Sequence, residues 1–304
     1  MRVLFMGTPD YAWTILEKLL DDSDIDIIGV FTQPDKPVGR KRVLTPPFVK
    51  MMLMEKGFKV DIFQPINLKE DTTIGLIKKL KPDFIVVAAY GQILPKDVLD
   101  IAPCINLHAS LLPKYRGASP IQSSILNRDK QTGVTAMLMS EGLDTGDILA
   151  YSFIEIENDM IVSELFDKLS VCASKLCLRV LKEYNDINPI KQFDCCSSYA
   201  KKIKKDDGKI EFIDSKEVYR KYRAYTPWPG IFLKSGLKLL KIKESSLQST
   251  GKVGEILRIE SDFVTISCLE GVLDIYRVQP KSKRAMSAKE YIVGKRFRVG
   301  DTFF

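Results

Sequence analysis

The single histidine of the chain lies in a segment whose polar residues could perform acid–base chemistry. Residues Cys104–His108 read Cys-Ile-Asn-Leu-His, and in a strand this alternation places Asn106 and His108 on one face. A buried parallel strand normally carries apolar residues on both faces, but here one face turns polar at the C-terminal end, where open α/β sheets bind ligands. Because imidazole often serves as a general acid or base, His108 is a candidate catalytic residue. The alternative is a histidine that only caps the strand through a hydrogen bond.

Three loops that follow predicted strands could complete a site around His108. They are Tyr90–Pro95, Ala109–Pro120 and Glu141–Asp147. We expect these loops to leave the C-terminal ends of parallel strands and therefore to meet at one cleft. Asp144, between Gly142 and Gly146, could face His108 and stabilise its imidazolium form. On spacing alone, an Asx-turn role for Asp144 is the favoured interpretation.

The elements that must position these residues alternate in the N-terminal part of the chain. The predicted strands are Val3–Met6, Ile25–Phe31, Val60–Phe63, Phe84–Ala89, Cys104–His108, Gly133–Leu138 and Ile148–Ile156. The predicted helices are Tyr11–Leu20, Val49–Lys56, Thr72–Leu80, Lys96–Leu99 and Ser163–Leu181. Repeated β-α-β units of this length predict an α/β fold with a doubly wound, mostly parallel, Rossmann-like sheet.

The pattern changes after residue 187. Residues 188–207 are polar without core-forming periodicity, which indicates a linker, and a helix is predicted at Ser215–Ala224. Five short strands follow, at Ile231–Lys234, Leu237–Lys243, Gly254–Ile259, Phe263–Cys268 and Leu273–Val278. This series predicts a smaller C-terminal β-barrel of the oligonucleotide-binding type. The predicted domains are therefore 1–187 and 208–304, joined by 188–207.

Charge separates the two predicted domains. The 304 residues carry a net charge of +7, but residues 1–187 hold 22 basic and 25 acidic side chains, whereas residues 188–304 hold 24 and 14. A basic module of this kind is typical of proteins that bind a polyanion. A lysine-rich surface that only improves solubility is the competing interpretation.

Several other classes of protein are excluded or disfavoured. An apolar content of 45% and a charged content of 28% exclude wholesale disorder. The turn Gly7-Thr8-Pro9-Asp10 has one glycine where a dinucleotide fingerprint has three, and no phosphate-binding Gly-x-x-x-x-Gly-Lys-Ser/Thr sequence occurs. With one histidine and no Cys-x-x-Cys pair, we expect no metal, and we expect the six cysteines to be free thiols. Without a signal sequence or a bilayer-length apolar run, the expected location is cytoplasmic.

These motifs together resemble the folate-dependent formyltransferases. Asn106-x-His108, Ser110-Leu111-Leu112-Pro113 and Gly142-Leu143-Asp144-Thr145-Gly146-Asp147 carry the family resemblance. Further segments are similar to the branch of the family that acts on methionyl-tRNA: Gly7–Asp10, Thr32–Arg40, Ala89–Pro95, Pro227–Gly230 and Ala285–Ala288. The resemblance covers essentially the whole chain.

The resemblance implies an activity and a set of site residues. A formyl group would pass from 10-formyltetrahydrofolate to the α-amine of methionyl-initiator tRNA, giving the formylated tRNA used in translation initiation. Asn106, His108 and Asp144 would be the catalytic trio. The folate pocket would be formed by Ser110, Leu111, Leu112 and Pro113 together with Tyr90, Gly91, Ile93, Leu94 and Met139.

The resemblance also implies where tRNA would bind. The loop carrying Arg40, Lys41 and Arg42 is similar to a family insertion that reads the acceptor end, although Lys41 stands where family members usually have glycine. Lys204 and Lys205 would contact phosphates from the basic C-terminal part, and the enzyme would act as a monomer.

Two other functions compete with this interpretation. The first is formylation of a small free amine such as a purine-pathway ribonucleotide, which would need neither the basic domain nor the Arg40–Arg42 loop. The second is a non-catalytic RNA-binding protein built on an inert α/β scaffold. Formylating enzymes that carry another large domain would need a longer chain than 304 residues.

Overall fold

The computed structural model describes residues 1–39 and 41–304, which form two compact units. The first unit comprises Met1–Pro120, Lys130–Glu155 and Phe166–Lys201. The second comprises Ile121–Asp129, Ile156–Leu165 and Lys202–Phe304. The unit boundary after Lys201 differs from the predicted linker, because residues 188–201 group with the first unit.

A seven-stranded sheet forms the centre of the first unit. Its strands and neighbouring short strands are β1 (Arg2–Gly7), β2 (Asp26–Phe31), β3 (Lys36–Val38), β4 (Val43–Thr45), β5 (Ile62–Phe63), β6 (Phe84–Ala88), β7 (Cys104–His108), β8 (Arg116–Gly117), β9 (Gln131–Leu138), β10 (Ile148–Glu155) and β11 (Tyr199–Ala200). The order across the sheet is β10-β9-β7-β6-β1-β2-β5. Pairing is parallel from β7 to β5, so the predicted doubly wound, mostly parallel sheet is confirmed.

The helices α1 (Asp10–Leu20), α2 (Phe48–Lys56), α3 (Asp71–Leu80) and α4 (Lys96–Leu99) belong to the first unit. Helix α5 (Pro120–Leu126) falls in the second unit apart from its first residue, and α6 (Val162–Glu183) begins in the second unit and continues in the first from Phe166. The central strands β1 and β6 are buried on both faces, as their continuous apolar runs predict. Residues of β1, β6, α3 and α4 pack together in one apolar cluster, which fixes the strand ends from which the loops of the site emerge.

Strand β9 departs from the expectation that every loop of the site follows a parallel strand. It pairs antiparallel with β7, with Leu138 opposite Ile105 and Thr135 opposite His108. The loop after β9 therefore starts beside the N-terminal end of β7, whereas His108 lies at the C-terminal end of β7. The prediction that all three loops leave the same end of the sheet is wrong for this loop. A run of apolar residues specifies a buried strand, but it does not specify the strand's direction.

The second unit contains an antiparallel sheet, which confirms the predicted smaller β-domain. Its helices are α7 (Ser215–Tyr225) and α8 (Ala288–Lys295), and its strands are β12 (Ile231–Phe232), β13 (Lys238–Glu244), β14 (Ile256–Ile259), β15 (Val264–Ser267), β16 (Val272–Gln279) and β17 (Met286–Ser287). The order is β12-β13-β16-β15-β14, with β17 on β16. Helix α8, absent from the predicted elements, begins with a capping box in which Ser287 and Glu290 satisfy each other's backbone N–H groups.

Two kinds of feature are absent from the described residues. No helix among them is both long enough and apolar enough to cross a bilayer. No group of three or more His, Cys, Asp or Glu side chains in the same residues is arranged to hold a metal ion.

Close packing at Gly133 in β9 generates the first prediction. A Cβ atom there would lie 2.0 Å from the Ser152 carbonyl oxygen and 2.7 Å from a methyl carbon of Leu111. We expect Gly133→Ala to lower the free energy of unfolding by about 2 kcal/mol or more in urea denaturation. The matched control, Gly75→Ala in α3, places its methyl where no described atom lies within 4 Å, and it should raise the same free energy by about 0.5–1 kcal/mol. Equal effects of the two substitutions would contradict the packing of β9.

Candidate active site

Strand β7 presents Asn106 and His108 on one face of the sheet, as the alternation predicts. Its neighbours are β6, where Val87 lies beside Asn106, and β9, where Thr135 lies beside His108. The His108 side chain is 7% exposed, and Asn106 is half-buried. No hydrogen bond of the Asn106 carboxamide occurs within the described part of the chain, so its N–H groups are available to a ligand.

Both ring nitrogens of His108 face protein oxygens. Nε2 lies 2.9 Å from the carbonyl oxygen of Tyr115, and because a carbonyl can only accept, Nε2 carries the proton and donates. Nδ1 lies 3.7 Å from the Asp144 carboxylate, which suits an ion pair with the protonated ring. These two contacts define the orientation of the imidazole. The competing interpretation, a histidine that only caps its strand, does not account for the partly buried Asp144 carboxylate at Nδ1.

The loop after β9 folds back over the face that carries Asn106 and His108, and this path brings Asp144 to the ring. Its carboxylate accepts the N–H of Gly117 at 2.8 Å. Asp144 has a φ of 53° and Tyr115 a φ of 62°, left-handed values that are uncommon for residues other than glycine. Strained backbone of this kind is found where surrounding structure fixes a functional group, and here it orients both partners of the imidazole.

The predicted folate residues divide by exposure. Tyr90, Leu94, Ser110 and Leu112 are buried, and Leu111, Pro113 and Met139 are partly buried, whereas Gly91 and Ile93 are exposed. Tyr90 and Leu94 belong to the apolar cluster of the sheet, and burial raises the pKa of the Tyr90 hydroxyl to about 12. The buried members therefore support the loops, while Ile93 is 78% exposed.

The Ser110–Pro113 segment is tied to β9 and β10 by side-chain hydrogen bonds. The Thr135 hydroxyl donates to the Ser110 carbonyl at 2.5 Å and accepts the Leu112 N–H at 3.0 Å. The Tyr151 hydroxyl donates to the Leu112 carbonyl at 2.6 Å. These bonds fix the path of the segment as it leaves His108.

The predicted tRNA residues lie on two separate elements. Lys41 and Arg42 are exposed between β3 and β4, which form a two-stranded hairpin, while Arg40 lies outside the described residues. The base of the hairpin is anchored through Asp35, which accepts bonds from Lys50 at 2.9 Å and from Gln64 at 2.7 Å. These bonds hold the pKa of the Asp35 carboxyl below its usual value. Lys204 and Lys205 are exposed in the second unit.

Two functional groups of the site are backbone atoms that sequence reasoning missed. They are the Tyr115 carbonyl, which holds Nε2 of His108, and the Gly117 N–H, which holds Asp144. Every residue has these groups, so side-chain chemistry gives no signal for them. The glycine at position 117 is a hint in the sequence, and the structure gives its reason, because a φ of 115° favours glycine.

Comparison with known protein families identifies the family to which the chain belongs. A model described as formyl transferase matches residues 1–181, and one described as formyl transferase, C-terminal domain, matches residues 202–296. The chain belongs to the formyltransferase family. It is 58% identical over 304 residues to the methionyl-tRNA formyltransferase of a Nitratiruptor species, covering 100% of both chains. It is 50% identical over 302 residues to the methionyl-tRNA formyltransferase of Sulfurimonas denitrificans, covering 99% of each.

Solved structures support the fold. An N-formyltransferase from Helicobacter canadensis, in complex with folinic acid and dTDP-3-aminofucose, matches with a TM-score of 0.67 at 18% identity. The match covers 90% of this chain and 98% of that one. At this identity the likeness concerns the fold alone.

The Gly117 contact generates the second prediction. A Cβ atom at Gly117 would lie 2.7 Å from the Ala200 carbonyl oxygen, so Gly117→Ala must move the N–H that holds Asp144. We expect formyl transfer to fall about 10- to 100-fold, because small misplacements of catalytic groups have effects of that size. Gly57→Ala is the matched control, since its φ of 72° is also left-handed but no described atom lies within 4 Å. Equal activities of the two variants would argue against the role of Gly117.

Proposed function

We propose that the chain transfers the formyl group of 10-formyltetrahydrofolate to the α-amine of methionyl-initiator tRNA, giving formylmethionyl-tRNA for translation initiation. The observation that carries the proposal is the trio itself. Asn106 and His108 share a face of β7, and Asp144 lies 3.7 Å from His108 Nδ1, in a chain with full-length relatives named methionyl-tRNA formyltransferase.

The chemistry requires a donor and a positive charge where negative charge develops. When the amine attacks the formyl carbon, the carbonyl oxygen becomes a tetrahedral oxyanion, which preorganised donors stabilise. The carboxamide of Asn106 donates to this oxygen, and the imidazolium of His108, stabilised by Asp144, supplies the charge. Nε2 donates to Tyr115 in the structure, and catalytic hydrogen bonds often form fully only in the substrate complex.

Collapse of the tetrahedral intermediate completes the transfer. The bond from the formyl carbon to the folate nitrogen breaks as the bond to the α-amine is retained. The proton lost by the amine ends on the departing folate nitrogen, and the carboxylate of Asp144 with the His108 ring provides a relay. No covalent bond to the enzyme forms, so no activated serine or cysteine is needed.

The residues around the trio fit a folate. Two exposed apolar side chains lie in the loops of the site, Ile93 at 78% exposure and Leu143 at 60%. Apolar walls with few polar groups suit a flat heterocycle. We propose that Ile93, Gly91 and Met139 contact the cosubstrate with Leu111 and Pro113, and that Tyr90, Leu94, Ser110 and Leu112 hold the pocket's shape.

Removal of the donors tests the catalytic assignment. We expect His108→Ala and Asn106→Ala each to lower kcat by about 100- to 1000-fold, the usual effect of losing one oxyanion donor. The measurement is transfer of labelled formyl from 10-formyltetrahydrofolate to methionyl-tRNA, with the exposed Asn67→Ala as control. Undiminished turnover in either variant would contradict the mechanism.

A free purine-pathway ribonucleotide as acceptor tests the small-amine alternative. A wild-type enzyme that prefers this ribonucleotide to methionyl-tRNA would contradict the proposed substrate.

We propose that the β3–β4 hairpin contacts the acceptor end of the tRNA. Three apolar side chains of its strands are more than half exposed, at Val38, Val43 and Leu44, beside the cations Lys41 and Arg42. Exposed apolar side chains next to cations suit a nucleic acid, which offers base faces and phosphates together. Arg40 belongs to the same proposed contact.

In the second unit, a basic groove supports tRNA binding. Besides Lys204 and Lys205, a cavity of ≈ 710 Å³ is lined by Lys281, Lys283 and Lys295 with the ring of Tyr291. Lysines position a phosphate backbone without reading its sequence, and an aromatic ring offers a stacking surface. We propose that this unit holds the tRNA through its backbone.

Salt dependence tests the electrostatic part of the proposal. If about four phosphates are neutralised, affinity for tRNA should fall about 100-fold between 50 and 200 mM salt, while folate affinity changes much less. The double variant Lys41→Ala/Arg42→Ala should weaken tRNA binding and reduce the salt slope by up to about 2. Lys59→Ala, exposed and in the same unit, should leave both unchanged. A tRNA affinity that does not change with salt in a binding titration would contradict the electrostatic part of the proposal.

The remaining expectations are part of the same proposal. We propose that residues 1–187 carry the catalytic domain and 208–304 the tRNA-binding domain, and that the enzyme is a cytoplasmic monomer. Light scattering that reported a stable dimer would contradict it.

A further inference from the structure

A polar stretch of chain, residues 190–200, lies along the loops that hold His108 and Asp144. Ile190 pairs with Ile148 through two backbone hydrogen bonds of 2.8 and 2.9 Å. Ser198 accepts the Tyr115 N–H on its hydroxyl at 2.9 Å and the Arg116 N–H on its carbonyl at 2.8 Å. We call residues 190–200 the strap. Although much of the strap is exposed, these hydrogen bonds tie it to β10 and to the segment that follows His108.

One side chain of the strap, Gln192, uses its whole carboxamide on the site. Its Nε2 donates to the carbonyl oxygens of Asp144 at 2.9 Å and Gly146 at 2.8 Å. Its Oε1 accepts from Nε and an Nη of Arg116, at 3.1 and 2.9 Å. Carbonyls only accept and a guanidinium only donates, so the contacts fix which end of the amide faces which partner.

These contacts tie together the two partners of the catalytic imidazole. Arg116, 2% exposed, directly follows Tyr115, whose carbonyl holds Nε2 of His108. Asp144 faces Nδ1 from the other side. The loop from Glu141 to Leu143 is exposed, and Asp144 has left-handed backbone, so this turn needs external bonds to keep its shape.

We propose that Gln192 is a positioning residue for formyl transfer: it joins the backbone of the Asp144 turn to the guanidinium of Arg116, the residue next to Tyr115, and so helps to set the two oxygens between which His108 lies. The inference rests on the proposed function. Gln192 does not touch the reacting atoms, and its effect on the reaction passes through Asp144.

Two substitutions separate this role from packing. Gln192→Glu keeps the size of the side chain and the acceptors for Arg116, but it cannot donate to the two carbonyls and turns a negative charge toward them. Gln192→Met keeps the length and removes every hydrogen bond. We expect kcat for formyl transfer to methionyl-tRNA to fall about 10- to 100-fold in both, with KM for tRNA within about threefold of wild type.

Folding is monitored in the same preparations. Because Gln192→Glu retains a partner for the buried Arg116, its melting temperature should stay within about 4 °C of wild type. Gln131→Glu, an exposed glutamine at the start of β9, is the matched control and should keep wild-type kcat.

A double-mutant cycle identifies the route of the effect. If Gln192 acts through Asp144, then Gln192→Met should lower kcat less than about threefold further in an Asp144→Asn background. Additive losses would show that Gln192 acts elsewhere and would overturn the inference. So would wild-type kcat in Gln192→Glu while the wild-type enzyme formylates methionyl-tRNA, in which case the proposed function stands alone. A wild-type protein that transfers no formyl group would refute the proposed function, and this inference with it.

Discussion

The site depends on one constraint, the placement of a buried imidazole between two protein oxygens. The His108 side chain is nearly inaccessible to water, so protein groups must bind its ring nitrogens. The Tyr115 carbonyl and the Asp144 carboxylate do so and define the orientation of the ring. A ring that must support positive charge needs an acceptor at each nitrogen. Both acceptors lie in loops, and much of the surrounding backbone serves to fix those loops.

The loops meet this constraint through backbone that their residues do not favour. Tyr115 and Asp144 both have left-handed backbone, and Gly117, whose N–H donates to Asp144, has a φ that favours glycine. Such conformations each cost about 1–3 kcal/mol and persist only where other bonds over-determine them. Here those bonds run from the Gly117 N–H to Asp144, from the Thr135 and Tyr151 hydroxyls to the segment after His108, and from the Tyr115 N–H to the Ser198 hydroxyl. Rigidity at the imidazole is therefore assembled from several neighbouring strands.

Sequence periodicity predicted the scaffold well and the site in part. The bounds of β7 were predicted to the residue, and the shared face of Asn106 and His108 follows from them. The direction of β9 was not predictable, because hydrophobic alternation is the same in either direction. The predicted route by which Asp144 reaches the His108 ring was therefore wrong. The β3–β4 hairpin was missed because its apolar residues are exposed, which removes the burial signal on which strand prediction relies.

The strap shows the limit of composition as a guide to domain boundaries. Residues 188–207 lack apolar periodicity, and periodicity detects only segments that bury a hydrophobic face. Up to Lys201 this chain groups with the first unit through backbone pairing and polar side chains such as Gln192 and Ser198. Polar networks of this type hold a single geometry when every donor and acceptor has a partner. They contribute more to that geometry than to the free energy of unfolding. The proposed reaction depends on the position of the Asp144 carboxylate, and the bonds of Gln192 to the Asp144 turn can make that kind of contribution.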